Sequence, residues 1–114
     1  MKYLFQNYPG RSVEEFERLS EEEREAIVEE YLAIRRLPGV VGGGQLQPVE
    51  TATTVRVENG ETLLTDGPFI DAKEHLGGYI VIETADLDEA LEIAARIPAA
   101  RMGGAVEVRP LVER

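Results

Sequence analysis

The chain has 114 residues, 43% of them hydrophobic, and its 22 acidic and 12 basic residues give a formal net charge of −10. The length predicts one domain, residues 1–114, with a single core, and the acidic balance excludes non-specific binding to nucleic acid or to an anionic membrane. Cysteine is absent, which excludes disulfides and thiolate chemistry. No apolar run reaches the roughly 18 residues of a membrane span, so we expect a cytoplasmic protein.

The first third of the chain predicts a strand followed by helices. Apolar and polar side chains alternate loosely from Lys2 to Tyr8, and this pattern ends at the turn dipeptide Pro9-Gly10. Two capping boxes follow, Ser12 with Glu15 and Ser20 with Glu23. They indicate a short helix that leads into a longer one. In the longer helix, residues 21–36, apolar side chains recur at helical spacing opposite a glutamate-rich face, and the helix ends at Leu37-Pro38-Gly39.

The middle of the chain predicts β-structure. Residues 40–48 contain three consecutive glycines, which indicate a bent strand with bulges. Thr51 to Val57 is rich in β-branched residues, and an Asn-Gly turn at residues 59–60 precedes Thr62 to Thr65. This pattern predicts a hairpin.

The last third predicts strand, helix and strand. Gly78 to Glu83 is mostly apolar and is expected to be buried on much of both faces. Asp86 caps an amphipathic helix that runs to Pro98. Its predicted apolar stripe is Leu87, Ala90, Leu91, Ala94 and Ala95. A final strand lies in residues 104–112, where Pro110 indicates an edge or a bulge. The two halves together predict a split βαβ pattern, with an antiparallel sheet and helices on one face.

The segment between the hairpin and the predicted strand Gly78 to Glu83 contains most of the residues that could carry out chemistry. Asp66-Gly67-Pro68 is a stiff turn, and Gly77-Gly78 permits close approach of another backbone or a ligand. Four ionisable residues lie between them: Asp71, Lys73, Glu74 and His75, the single histidine. The sequence therefore places a candidate site in residues 65–78.

The same segment carries a family resemblance. The chain resembles the DGPF-domain proteins, a branch of the YCII-related families, in T-D-G-P-F-I-D-A-K-E-H-L-G-G-Y, in A-T-T-V-R before it and in G-G-A-V-E-V-R-P-L near the end. The resemblance implies a ferredoxin-like α+β fold that dimerises through its sheet into an α/β barrel. Such a homodimer would cover an apolar sheet face that the helices leave open.

The resemblance leaves two functions open. YCII-like proteins have been proposed as enzymes with a His and Asp pair in a cleft, which implies acid/base chemistry here. DGPF proteins are often encoded beside extracytoplasmic-function sigma factors, which implies a non-catalytic regulatory module whose acidic helix meets a basic partner.

For the enzyme we expect Asp66, Asp71 and His75 to be catalytic, because a carboxylate beside a histidine fixes its tautomer and holds its pKa near neutrality. Lys73, Arg56 and Arg109 are expected to bind a small polar or anionic substrate. The plainer alternatives are a turn aspartate, an exposed loop histidine, and surface ion pairs with neighbouring glutamates. The sequence contains no zinc-binding, calcium-binding or dinucleotide-binding spacing, so we expect no metal and no cofactor.

Overall fold

The structure, a computed structural model, describes residues 1–10, 13–70 and 74–114. The strands are β1 Lys2–Tyr8, β2 Val40–Gln45, β3 Thr53–Glu58, β4 Glu61–Asp66, β5 Gly78–Glu83 and β6 Ala105–Pro110. The helices are α1 Val13–Glu17, α2 Glu21–Arg35, α3 Leu87–Ala94 and α4 Pro98–Arg101. The predicted capping residue Ser12 and the predicted site residues Asp71 and Lys73 lie outside the described residues.

Four strands form one antiparallel sheet in the order β2-β5-β1-β6. Strand β1 is central, with Phe5 opposite Ile80 of β5 on one side and opposite Val108 of β6 on the other. This is the strand order of a split βαβ unit, and the predicted α+β fold with an antiparallel sheet is confirmed. Strand β6 lies at the sheet edge, as Pro110 indicates, and β2 contains the expected irregularity, between Val40 and Gly42.

The core lies between one face of this sheet and the helices. Alternate residues of β1 and β5 point towards α2 and α3, since successive side chains of a strand face opposite ways. The buried apolar side chains are Tyr3, Phe5, Ile34, Ile80, Ile82, Ala90, Ile93, Ala94, Ile97 and Ala99. Each large side chain in this set contributes about 1.5–3 kcal/mol when it leaves water.

The opposite face of the sheet is open. Strand β5 alternates between buried Ile80 and Ile82 and outward-facing Tyr79 and Glu83, so the expectation that this strand is buried on both faces is wrong for the single chain. The reason is topological, because both crossover connections place their helices on the same side. Leu4 and Val81, which are paired across β1 and β5, are left half-buried at the centre of the open face.

Helix α2 begins with the predicted capping box. The backbone N–H of Glu23 donates to the Oγ of Ser20 at 3.1 Å, and the Glu23 carboxylate accepts from the backbone N–H of Ser20 at 3.4 Å. This arrangement satisfies two of the N–H groups that a helix start leaves without partners. The helix start is therefore fixed by local chemistry.

The stripe predicted for α3 is partly wrong. Leu87 and Leu91 are each 46% exposed, and the residues of α3 that reach the core are Ala90, Ile93 and Ala94. These three follow the i, i+3, i+4 spacing of one helical face, and that face contains Ile93 but neither of the two leucines. The chain also forms α4 from Pro98 onwards, where the sequence indicated only the end of a helix, because proline is well accommodated at the first position of a helix.

The predicted hairpin is confirmed as β3 and β4, which form a separate two-stranded sheet and pair with no other strand of the described residues. Asn59 and Gly60 turn the chain with φ values of 52° and 79°, the conformation that an Asn-Gly turn requires. The backbone N–H of Gly67 donates to the carbonyl oxygen of Ala52 at 2.7 Å and closes the base of the hairpin. We call residues 53–66 the arm.

Candidate functional site

A cavity of about 380 Å³ lies between the helix-covered face of the sheet and helices α1, α2 and α4. This volume is within the range of small-molecule sites. Most of the wall is apolar and is formed by Phe16, Ile27, Val28, Leu32, Ile80 and Met102. Polar side chains in the wall include Asn7, Tyr31, Arg35 and Gln45.

The double glycine of the family motif forms part of this wall. A Cβ atom on Gly77 would lie 2.9 Å from the ring of Pro9, and one on Gly78 would lie 2.9 Å from the carbonyl oxygen of Gly44. The expectation that these glycines permit close approach of another backbone is therefore confirmed. Their effect is to bring the start of β5 tightly against β2 at the cavity wall.

Asn7 is the buried polar residue of the wall. It occupies the position after Tyr3 and Phe5 on the core face of β1 and is 6% exposed. Its backbone carbonyl accepts from the N–H of Gly77 at 2.8 Å, but its side-chain Oδ1 is buried without a hydrogen bond to any described residue. A buried amide oxygen in this state costs about 1–3 kcal/mol, and that cost would be offset by a donor from a bound molecule.

Tyr31 presents a phenol from helix α2 to the same cavity. Burial raises its pKa above the ordinary value, while a backbone hydrogen bond with Ala99 and the charge of Arg101 act in the opposite direction and Glu30 adds to the rise. Arg101 forms an ion pair with Glu30 across the junction of α2 and α4. Tyr31 is therefore a neutral hydroxyl at physiological pH and can donate or accept a hydrogen bond.

Arg35 supplies the positive charge in the wall. Its guanidinium Nη2 donates to the carbonyl oxygen of Gly43 at 3.2 Å, which connects the last turn of α2 to β2. The side chain is exposed, so it lies where the cavity meets solvent.

The residues predicted for the site are distributed over several parts of the molecule. Asp66 and Arg56 are exposed on the arm, where the Arg56 guanidinium lies 5.6 Å from the centre of the Phe69 ring and 3.4 Å from the Glu58 carboxylate. Arg109 is exposed on the open sheet face, 2.7 Å from Glu107. None of these residues lines the cavity.

His75 is half-buried in the segment before β5, two positions from the wall residue Gly77. Of the predicted catalytic residues, His75 is the closest in sequence to a residue of the cavity wall. Asp71 and Lys73 precede it but lie outside the described residues, so the predicted acid/base group of Asp66, Asp71 and His75 remains a prediction.

Sequence reasoning missed Asn7, Tyr31 and Arg35 as site residues. A signal was available for Asn7, because it follows Tyr3 and Phe5 at the period of a buried strand face and a polar residue there is unusual. Arg35 lies in the last turn of α2, where a basic side chain suits the helix dipole, and nothing in a helical pattern distinguishes it from Arg36. Tyr31 lacked any local signal, since its position depends on the packing of α2 against α4.

Within residues 1–10, 13–70 and 74–114, no group of three histidine or acidic side chains is placed to hold a metal ion. None of the helices in the same residues combines the length and the apolar composition that a membrane span requires.

Comparison with known proteins identifies the family. An uncharacterised protein of Rhizobium meliloti (strain 1021) is 40% identical over 97 residues, which are 81% of this chain and 78% of that protein. A solved 5-chloro-2-hydroxyhydroquinone dehydrochlorinase from Burkholderia phenoliruptrix AC1100, in complex with 2,5-dihydroxybenzoquinone, has a TM-score of 0.53. It is 16% identical, with 100% of this chain and 96% of that chain covered, and this likeness shows the fold alone. The model of the YCII-related domain matches residues 1–114, and the chain belongs to that family.

Proposed function

We propose that this protein is a small-molecule enzyme that binds a ring-shaped organic substrate in the cavity between the sheet and α2. The observation that carries the proposal is Asn7, an amide that is 6% exposed and whose oxygen has no partner among the described residues, in the wall of an apolar cavity of about 380 Å³. Small-molecule sites commonly combine apolar walls with a few polar groups that orient the ligand.

The polar groups define what the cavity accepts. Asn7 and Tyr31 carry no charge at neutral pH and offer hydrogen bonds from the sheet and from the helix. A substrate with an apolar ring and hydroxyl or carbonyl substituents would satisfy both. The structural neighbour was solved with 2,5-dihydroxybenzoquinone, a molecule of this kind, which supports the choice of oxygenated rings as first probes.

The reaction we propose is cofactor-free acid/base chemistry. His75 is the candidate proton-transfer group, because an imidazole can both donate and accept a proton and the chain from His75 to Gly77 leads directly into the cavity wall. Asp66 and Asp71 remain the proposed carboxylate partners, and Lys73, Arg56 and Arg109 remain proposed substrate-binding residues. The arm, which carries Asp66 and Arg56, would have to lie over a site for these two residues to take part.

We also propose that the protein is a homodimer through the open sheet face. All helices of the described residues that pack on the sheet lie on the other side, and Leu4, Val81 and Tyr79 form an apolar centre on the open face. A second copy would cover this surface with a matching one, since the contact of a twofold dimer is made by the same patch on both subunits.

The test is a binding screen followed by an assay. Purified protein is titrated with dihydroxybenzoquinones, hydroquinones and aliphatic diols, and binding is followed by calorimetry. Binding of the rings that is weakened about tenfold by Asn7→Leu supports the site. Ring binding that is unchanged in Asn7→Leu, or no ring binding, contradicts it.

Turnover of any ring that binds is then measured in variants of the proposed acid/base group. His75→Gln should abolish turnover while it leaves the dissociation constant within about a factor of three, because proton transfer and binding are separate contributions. Asp66→Asn tests whether the arm belongs to the site. Full activity in both variants would remove these residues from the mechanism.

The non-catalytic alternative, a module that acts beside a sigma factor, remains a prediction. Its specific feature is the exposed acidic surface of α2, which includes Glu21, Glu22 and Glu25. Charge reversal at these positions should weaken the binding of a basic partner protein and leave the binding of ring-shaped ligands unchanged.

A further inference from the structure

We infer that the cavity selects molecules that carry an acidic group beside an apolar body, and that Arg35 is the residue that makes this selection. The inference rests on the proposed function of the cavity and extends it to the charge of the ligand. Arg35 was not among the site residues expected from sequence.

Arg35 is the cationic side chain among the described residues that line the cavity. Its exposed position places it at the opening, while Asn7 and Ile80, both buried, lie deeper against the sheet. A molecule that inserts its apolar part between Ile80 and the helix would therefore leave a terminal group near the guanidinium.

The charge of Arg35 is also available. The positions one turn away on its own helix are held by Tyr31 and Leu32, which supply no carboxylate. Within the described part of the chain, no acidic side chain lies within 4.0 Å of it, in contrast to Arg36, which pairs with Glu29 at 3.2 Å. One Nη2 hydrogen bond to Gly43 uses a single donor of the five that a guanidinium carries.

That hydrogen bond also limits the motion of the side chain. A guanidinium held against the carbonyl of Gly43 keeps its remaining N–H groups near the opening, and an arginine can bind a carboxylate through two parallel hydrogen bonds. The net charge of −10 repels anions over the rest of the surface, so a preference for an acid must come from a local contact of this kind.

The experiment compares two ligands of equal shape and different charge, 2-naphthoate and 2-naphthamide. Their dissociation constants are measured by calorimetry at low salt for the wild type, for Arg35→Gln and for Arg36→Gln. Arg36→Gln is the matched control, because it removes the same charge from the neighbouring residue, which does not line the cavity. Thermal unfolding of each variant confirms that it is folded.

We expect the wild type to bind naphthoate more tightly than naphthamide. Arg35→Gln should weaken the binding of naphthoate about fivefold to tenfold, as expected for a charge-assisted contact at a partly exposed position. It should leave the dissociation constant of naphthamide within about twofold of the wild-type value. Arg36→Gln should change neither ligand by more than about twofold.

The outcomes separate the two proposals. Equal binding of the two ligands by the wild type, or an equal loss of both in Arg35→Gln, would overturn the role of Arg35 and leave the cavity as a ligand site. An equal loss of naphthoate in both arginine variants would show a long-range charge effect and overturn it too. Absence of binding by either ligand, together with a negative ring screen, would overturn the cavity itself.

Discussion

The side-chain amide of Asn7 and the phenol of Tyr31 line the same cavity, the first from strand β1 and the second from helix α2. The two groups differ in how their hydrogen-bonding capacity is used. Tyr31 has a backbone partner in Ala99, whereas the Oδ1 of Asn7 has no partner among the described residues. Substitutions at the two positions should therefore affect stability in opposite directions.

Replacement of Asn7 by leucine should stabilise the free protein and impair binding. The two side chains have the same number of heavy atoms and the same branching, and the change removes a buried oxygen without a partner, so the free energy of unfolding should rise by about 1 kcal/mol. Urea unfolding measures this change. Gln6→Leu is the control for binding, since Gln6 also has a buried side-chain oxygen without a described partner but does not line the cavity. A loss of stability in Asn7→Leu would mean that the amide already has a partner.

Tyr31 should make the protein less stable at alkaline pH. Because its pKa is raised in the folded state, the unfolded chain loses the phenolic proton first as the pH rises through about 10, and the free energy of unfolding falls from there until the folded-state pKa is passed. The stabilising effect is fully present below that range. Tyr31→Phe should lower stability at neutral pH, because the Ala99 hydrogen bond is lost, and should flatten the alkaline dependence.

The measurement is urea unfolding of the wild type and Tyr31→Phe between pH 7 and about 11. Ultraviolet titration of the folded protein supplies an independent readout, because the variant should lack the phenol that ionises late. Parallel stability curves for the two proteins across the whole range would contradict the raised pKa.

Gly39 should not tolerate a side chain. It has a φ of +92°, and a Cβ atom there would collide with the carbonyl oxygen of Glu83. The Gly39 carbonyl also accepts from the N–H of Glu83 at 2.8 Å, so the position cannot move freely. Gly39→Ala should lower the free energy of unfolding by about 2 kcal/mol.

Gly42→Ala is the matched control in the same strand region, because a Cβ atom at Gly42 would meet nothing within 4 Å and its φ is not positive. This variant should stay within about 0.5 kcal/mol of the wild type in urea unfolding. Equal effects of the two substitutions would contradict the packing of Gly39 against β5.

The open sheet face should form the dimer contact. Val81→Glu places a carboxylate at the centre of this face, where a dimer would bury it without a partner, and should convert the dimer to a monomer. Light scattering after size-exclusion chromatography measures the mass. Val57→Glu is the control, because Val57 is 65% exposed on the arm. A wild-type protein that is monomeric at micromolar concentration would contradict the proposed interface.

Local sequence patterns were sufficient to predict most of the helices and strands. The capping box of Ser20 and Glu23, the Asn-Gly turn and the alternation of β1 each depend on neighbours within a few residues, so the sequence determined them. The antiparallel α+β architecture followed from their order. The side of α3 that faces the core did not follow from the local pattern, because Leu87, Leu91 and Ile93 are all apolar. Packing against the sheet buries Ile93 and leaves the two leucines exposed.

Patterns within the chain predicted most of the elements, their order and the family resemblance. Which polar residues meet depends on the packing of segments that are distant in sequence. Asp66, Arg56 and Arg109 all belong to the segments that carry the family resemblance. In the structure, Asp66 and Arg56 lie on the arm and Arg109 lies on the open sheet face. Asn7, Tyr31 and Arg35 share a cavity because β1 and α2 pack together, and such contacts between distant segments leave no local pattern in the chain.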